Sequence, residues 1–359
     1  MASHISVVVS QGQSHHPAKR RLEEEIVARL LIERSVEVNV VPHLYDLKTD
    51  GSAMLCLQGI SRDMIVIAWM YPRASRWILN RNGILGQEGV TLLKEDTEEK
   101  ESEDEQEPLD STTQRVIESL EIPNRKIYCL NLSADTNPDT FVQEVRRISE
   151  ETQVKTVEAI GWLNGTPKPE HVQRMVQPLP GNVEHMPSVA PEQPKHEAHE
   201  ADEANVIEEN TERRWYPVID MSRCTNCMEC IDFCLFGVYG VDQEDTILVE
   251  QPDNCRKGCP ACSRVCPENA ILFPTHKSPA IAGSADVAAA LKIDLSKLFG
   301  APEDDAVDVA VRERDEQLLL AGRELVGDAV GVARHKSEKA DGEPDNLDLL
   351  IDQLDALDL

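Results

Sequence analysis

The sequence predicts a multidomain chain of α/β plus α+β class: an N-terminal doubly wound α/β domain, a linker, a small cysteine-rich domain and an acidic helical C-terminal tail. Three observations predict it. Short β-branched runs alternate with amphipathic segments up to residue 164. A stretch rich in proline, glutamate and histidine follows, without apolar periodicity, over 165–211, and reads as a disordered linker. Eight of the ten cysteines then fall between Cys224 and Cys266, a density that one chemistry must explain. At 359 residues the chain is also too long for one average domain.

Taken in order, Ile5–Ser10 is a short β-branched strand. Ala18–Arg34 carries Leu22, Ile26, Leu30 and Ile32 among charged residues, close to helical spacing, so strand then helix opens the fold. Val36–Val41 reads as a second strand and Ser52–Ile60 as a short helix. Asp63–Met70 is a continuously apolar strand of the kind buried on both faces. Lys126–Leu132 and Pro138–Glu151 repeat strand and helix, which makes 1–164 a parallel doubly wound domain. It is interrupted at 94–110, where KEDTEEKESEDEQE can bury nothing and reads as a solvated acidic insertion. Residues 212–278 make the cysteine domain. The tail, 279–359, contains expected helices over Ala285–Leu291 and Val307–Val332 and a flexible stretch over His335–Asn346. Its last segment, 347–359, sets Leu347, Leu350, Ile351, Leu354 and Leu357 at helical spacing among aspartates.

The formal net charge of −29 disfavours nucleic acid and anionic membrane surfaces as partners and favours a protein with a basic docking surface. No basic flank followed by a long apolar stretch opens the chain, and the most apolar run, Met64–Met70, is only a few residues long. Neither a signal peptide nor a membrane span is expected, and the expected location is cytoplasmic. In a reducing compartment the crowded cysteines read as metal or cluster ligands rather than disulfides.

Cys224, Cys227, Cys230 and Cys234 form C-x2-C-x2-C-x3-C, the run that wraps three thiolates round one face of an iron–sulfur cube and sends the fourth elsewhere. Cys255, Cys259, Cys262 and Cys266 form C-x3-C-x2-C-x3-C, followed by Pro267. Over about residues 214–275 the sequence resembles the bacterial-type ferredoxins that carry two 4Fe-4S clusters, a resemblance covering less than a fifth of the chain. It implies Cys224, Cys227, Cys230 and Cys266 on one cluster and Cys255, Cys259, Cys262 and Cys234 on the other. Expected outer strands at Tyr216–Asp220 and Ala270–Phe273, with a hairpin of Val238–Asp242 and Thr246–Glu250, agree with it. Two departures stand out. The second run has one extra residue among Arg256, Lys257 and Gly258, which puts Cys255 in question as a ligand; without it the second site would be a 3Fe-4S or labile cluster. Leu235 follows Cys234 where the family usually has proline, and Gly237 is the residue placed to supply backbone freedom instead. The alternative for the C-x2-C pairs, Cys224/Cys227 and Cys259/Cys262, is two zinc sites in a structural or assembly protein, which leaves the other cysteines without a use. Cys56 and Cys129 stand alone and read as small buried apolar side chains.

A cube held by four thiolates has no open coordination position, so the expected function is one-electron transfer between oxidoreductases, and no catalytic residue is assigned. Arg223, Arg256, Lys257 and Arg264 lie close to the cysteines in sequence and would stabilise the more negative reduced form. The rival is an electron-transfer subunit whose α/β domain binds a flavin or nucleotide. Two places bear on it. The loop Ser10–His16 follows a strand but lacks G-x-G-x-x-G and a Walker lysine, and reads as a plain loop. Arg73, Arg76, Trp69 and Trp77 fall at the carboxyl edge of the sheet, where they either grip an anionic ring cofactor or a partner's carboxylates, or simply begin a helix. His196 and His199 read as bystanders in the linker. Segment 347–359 either packs on the preceding helices or serves as a tethered docking peptide for a redox partner.

Overall fold

The computed structural model describes residues 5–33, 35–93, 114–163, 204–284 and 306–327, with side chains only to residue 152 in the helix that ends at 163. Outside these residues lie the acidic insertion at 94–110, most of the expected linker with His196 and His199, the expected helix at 285–291, and the segment 347–359.

Six strands form one sheet: β1 (Ile5–Ser10), β2 (Val36–Val41), β3 (Met64–Ala68), β4 (Gln87–Glu88), β5 (Lys126–Asn131) and β6 (Asn205–Val206), in the order β4-β5-β3-β1-β2-β6. Every neighbouring pair is parallel. Helices α1 (Pro17–Leu30), α2 (Ser52–Gly59), α3 (Pro72–Arg81) and α4 (Pro138–Leu163) cover it. Val7, Val9, Ile65, Ile67, Tyr128 and Leu130 pack on one face with Ile26 and Leu30 of α1 and Phe141 and Val145 of α4. Val8, Val66, Ala68 and Cys129 pack on the other with Met54 and Leu57 of α2 and Trp77 and Ile78 of α3. Burial on both faces is why the strands read as unbroken apolar runs.

Prolines open α1, α3 and α4, where the missing N–H costs nothing. α1 ends at Leu30, short of the expected Arg34, whereas α4 runs on to Leu163. A sequence reading that extends the linker to 211 meets a difference here. Asn205 and Val206 pair with Asn39 and Val40 of β2, and the Glu209 carboxylate accepts the Ala53 N–H at 3.0 Å at the start of α2. The edge strand pairs through backbone groups, helped only by the Asn205 amide donating to Asn39 Oδ1 at 3.0 Å, so composition carries little sign of it.

In the second body, β7 (Val218–Ile219) pairs antiparallel with β10 (Ile271–Leu272), and β8 (Tyr239–Val241) with β9 (Ile247–Val249). The hairpin turn is held by Asp242, whose Oδ1 accepts the N–H groups of Glu244 at 2.8 Å and Thr246 at 2.9 Å. Short helices α5 (Glu229–Phe233), α6 (Ala261–Val265) and α7 (Pro279–Ala282) surround a core of Phe233, Val238, Ile247, Val265 and Phe273. α8 (Ala306–Leu320) packs against α6 and is pinned to it by a two-pronged Arg264–Glu313 pair at 2.9 and 3.0 Å. It stops well before the expected residue 332, because the chain reverses at Gly322 (φ +70°) and the Arg323 N–H caps the Leu318 carbonyl.

The two bodies share a buried contact. Tyr216, Val218 and Leu272 complete the apolar cluster on the α2/α3 face of the large sheet. The rings of Tyr45 and Tyr216 stack at 4.4 Å. The Tyr45 hydroxyl donates to the Tyr216 carbonyl at 2.5 Å and accepts the Tyr216 N–H at 2.7 Å, while the Tyr216 hydroxyl donates to the Tyr45 carbonyl at 3.0 Å. Beside them Arg73 donates to the buried Asp220 carboxylate at 2.5 Å and to the Asn269 carbonyl at 2.6 Å.

Candidate metal centre

The first cysteine run coils tightly because two residues between the thiols adopt left-handed backbone, Asn226 at φ 59° and Met228 at φ 63°. Asn226 also ties this loop to the hairpin: its Oδ1 accepts the Ile247 N–H at 2.9 Å and its Nδ2 donates to the Asp245 carbonyl at 2.8 Å. In the second run the extra residue is absorbed by a turn in which the Cys259 N–H bonds the Arg256 carbonyl at 3.0 Å, with Gly258 at φ +88°. Gly237, after Leu235, adopts φ +68°, the freedom expected of it where proline is missing.

Two hollows result. One is lined by Cys224, Cys227, Cys230 and Cys266, the other by Cys234, Cys255, Cys259 and Cys262. Each therefore takes three cysteines from one run and the last cysteine of the other. The remaining walls are mostly apolar, among them Ile219, Ile247 and Ile271 around the first and Phe233, Phe236 and Val238 around the second. Among the described residues, no three cysteine, histidine, aspartate or glutamate side chains converge on a point that one ion would fill. The thiols are disposed around a volume, which suits a polynuclear cluster better than a single zinc.

Burial raises the pKa of these buried thiols: Cys224 and Cys259 are pushed up to about 11, and Cys230, Cys234, Cys255, Cys262 and Cys266 also rise. Neighbouring thiols add to it, Cys266 acting on Cys224 and Cys230, and Cys234 on Cys255, Cys259 and Cys262. Four thiolates cannot share such a hollow unaided; iron held there would supply the positive charge that offsets their repulsion, and its loading would release protons. Backbone N–H groups aim at sulfur in both sets, as from Ala270 to Cys266 at 3.3 Å and from Gly237 to Cys234. The donor set fits iron–sulfur clusters.

Sequence reasoning missed several side chains here. The Tyr239 hydroxyl donates to Cys262 Sγ at 3.1 Å. Arg314 reaches the second hollow from α8, its guanidinium 4.7 Å from the centre of the Phe233 ring. Trp215 donates to the Cys259 carbonyl at 3.1 Å and stacks on Phe273. Beyond the acidic insertion, Val116 and Ile117 donate their N–H groups to the Cys224 and Met221 carbonyls, clipping the large domain onto the first cysteine loop. None of these carries a spacing signal. Of the basic residues singled out from sequence, Arg223 lies 3.9 Å from Asp220, Arg264 is paired with Glu313, Arg256 covers the Phe236 ring and Lys257 is exposed.

Cys129 is buried in β5, where burial pushes its thiol up to about 12, and Cys56 is half-buried beside Asn39; neither lines a hollow. The loop after β1 is held by the chain's own carboxylate. Its Gly12 N–H is taken by the Glu23 carboxylate at 2.8 Å, which also accepts the Trp69 indole N–H at 2.7 Å. A carboxylate already occupies the position a phosphate would need. Arg73 grips Asp220 of the same chain, Arg76 donates to the Gly86 carbonyl, and Trp77 is buried.

Comparison with known proteins finds similarity over the cysteine domain. An uncharacterised ferredoxin of Methanocaldococcus jannaschii is 48% identical over 66 residues, 18% of this chain and 44% of the relative. The PorD subunit of pyruvate synthase from the same organism is 36% identical over 61 residues, 17% of this chain and 69% of that subunit. Ferredoxin-3 of a Nostoc species is 34% identical over 68 residues, 14% of this chain and 69% of that protein. The chain thus spans less than half the length of the first of these relatives. No protein-family model matches the chain, and no solved structure matches it.

Proposed function

This chain belongs to the ferredoxin family through its cysteine domain, and we propose that it carries single electrons between oxidoreductases on two 4Fe-4S clusters. The observation that carries the reading is the pair of hollows, each walled by four thiols drawn from both runs. In this reading Cys224, Cys227, Cys230 and Cys266 hold the first cluster, and Cys255, Cys259, Cys262 and Cys234 the second. When bound, a cube with four thiolate ligands gains and loses one electron without opening a coordination position. The chain's own residues set the ligand geometry, line the hollows with apolar walls and aim backbone N–H groups at sulfur.

The similarity to PorD favours a second reading, in which the cysteine domain wires a larger oxidoreductase as one of its subunits. The Glu23 carboxylate on the Gly12 N–H argues against a flavin or nucleotide phosphate in that loop. The net charge of −29 supports a partner with a basic docking surface, with 347–359 as a docking peptide. No helix among the described residues is long and apolar enough to cross a membrane. Iron analysis of three serine variants tests the assignment. Cys227→Ser and Cys259→Ser are each expected to lose or alter one cluster, and Cys129→Ser to keep the parent's iron. Equal iron in all three contradicts it.

A further inference from the structure

We infer that the two sites are unequal and that an electron settles first in the second hollow, because the Tyr239 hydroxyl and Arg314 line it whereas Glu229 and Glu268 line the first. The inference rests on the two-cluster reading above. The potential of such a cluster follows its net surroundings: hydrogen bonds to its sulfurs and nearby positive charge favour the more negative reduced form, and nearby carboxylates oppose it.

The hydrogen-bond difference comes down to one pair of positions. Tyr239 stands five residues after Cys234, is buried, and donates to Cys262 Sγ at 3.1 Å. Five residues after Cys266 stands Ile271, which lines the first hollow and whose side chain has no hydrogen to give. Backbone donors serve both sets, so they do not separate them. The charge difference has the same sign. Arg314 is fully buried and faces the second hollow, while its partner Asp315, at 3.0 Å, is not among the lining residues. At the first hollow the lining charges are the carboxylates of Glu229 and Glu268, and Arg115, 3.6 Å from Glu268, is not among the lining residues. Two features act in the opposite sense: the Glu313 carboxylate on α8 lies close enough to act on Cys259, and Cys227 is exposed, where water favours added charge in the first hollow. The order of the two potentials decides between these effects.

In the step itself an external one-electron reductant loses one electron and the second cluster gains it. Tyr239 keeps its hydrogen, so no proton is transferred. The test is a potentiometric titration of the anaerobically purified full-length protein, followed by electron paramagnetic resonance, on the parent, Tyr239→Phe and Glu229→Gln. Two waves are expected, separated by at least a tenfold preference, about 59 mV for a one-electron couple. Tyr239→Phe, which changes no packing volume of consequence, should lower only the upper wave, and Glu229→Gln should raise only the lower. Coincident waves, or a Tyr239→Phe variant that moves the lower wave or neither, overturn the inference. Iron measured on the same samples separates the two failures. About eight irons with coincident waves defeat this inference alone, whereas about four irons defeat the two-cluster reading and this inference with it.

Discussion

Replacing Tyr45 with phenylalanine removes one oxygen from the contact between the two bodies and leaves two backbone groups without a partner. The Tyr45 hydroxyl donates to the carbonyl of Tyr216 and accepts its N–H, and both residues are at most 1% exposed. An orphaned buried group costs about 1–3 kcal/mol, so the variant should weaken the contact by about 2–4 kcal/mol once partial relaxation is allowed. Tyr216→Phe loses only the bond from its hydroxyl to the Tyr45 carbonyl and should cost about 1–2 kcal/mol. The stacked rings are kept in both, so the comparison isolates hydrogen bonding. Native-state hydrogen exchange of peptides spanning 212–220 reads the opening directly, without unfolding the chain. Exchange there should quicken by roughly 30- to 1,000-fold in Tyr45→Phe, at about 1.4 kcal/mol per tenfold, and by clearly less in Tyr216→Phe. A Tyr45→Phe effect below tenfold, or no larger than that of Tyr216→Phe, would refute the reasoning.

Arg73→Ala should loosen the same contact by about 3 kcal/mol, since it strips the closest cation from the buried Asp220 carboxylate, and exchange over 218–224 checks it. Gly12→Ala places a methyl group 2.8 Å from Trp69 Cδ1, so a loss of about 1–3 kcal/mol is expected, with a shift in tryptophan fluorescence. Burial holds His43 below its ordinary value of 6.5, in spite of Asp46 nearby. The unfolded chain therefore takes up the proton first: stability is intact above pH 6.5 and declines as the pH falls below it. Urea midpoints at pH 7.5 and 5.5 should differ more in the parent than in His43→Gln; equal differences would exclude His43 as the cause.

The parallel sheet was legible because strands buried on both faces must be apolar throughout, as at Met64–Ala68, and because α1 repeats its leucines and isoleucines at helical spacing. The eight cysteines were legible as a group because covalent spacing decides which thiols one tight loop can bring together. What stayed hidden depends on pairs remote in sequence. Tyr45 meets Tyr216 and Arg73 meets Asp220 across well over a hundred residues, and nothing local to either residue announces the match. Tyr239 reads as an ordinary strand residue until its hydroxyl is found against Cys262, and Arg314 as an exposed charge on an acidic helix until α8 is seen packed on α6. Arg73, between Trp69 and Trp77, carried a recognisable chemistry, carboxylate binding, and the carboxylate it meets is the chain's own Asp220.

Iron and acid-labile sulfide per chain, measured on anaerobically purified full-length protein with electron paramagnetic resonance before and after dithionite, test the central claim most directly. About eight irons and eight sulfides, with a reduced spectrum broadened by two interacting cubes, is the predicted result. Zinc in place of iron would contradict electron transfer altogether, and about four irons would contradict the assignment of Cys255, Cys259, Cys262 and Cys234 to a second cluster.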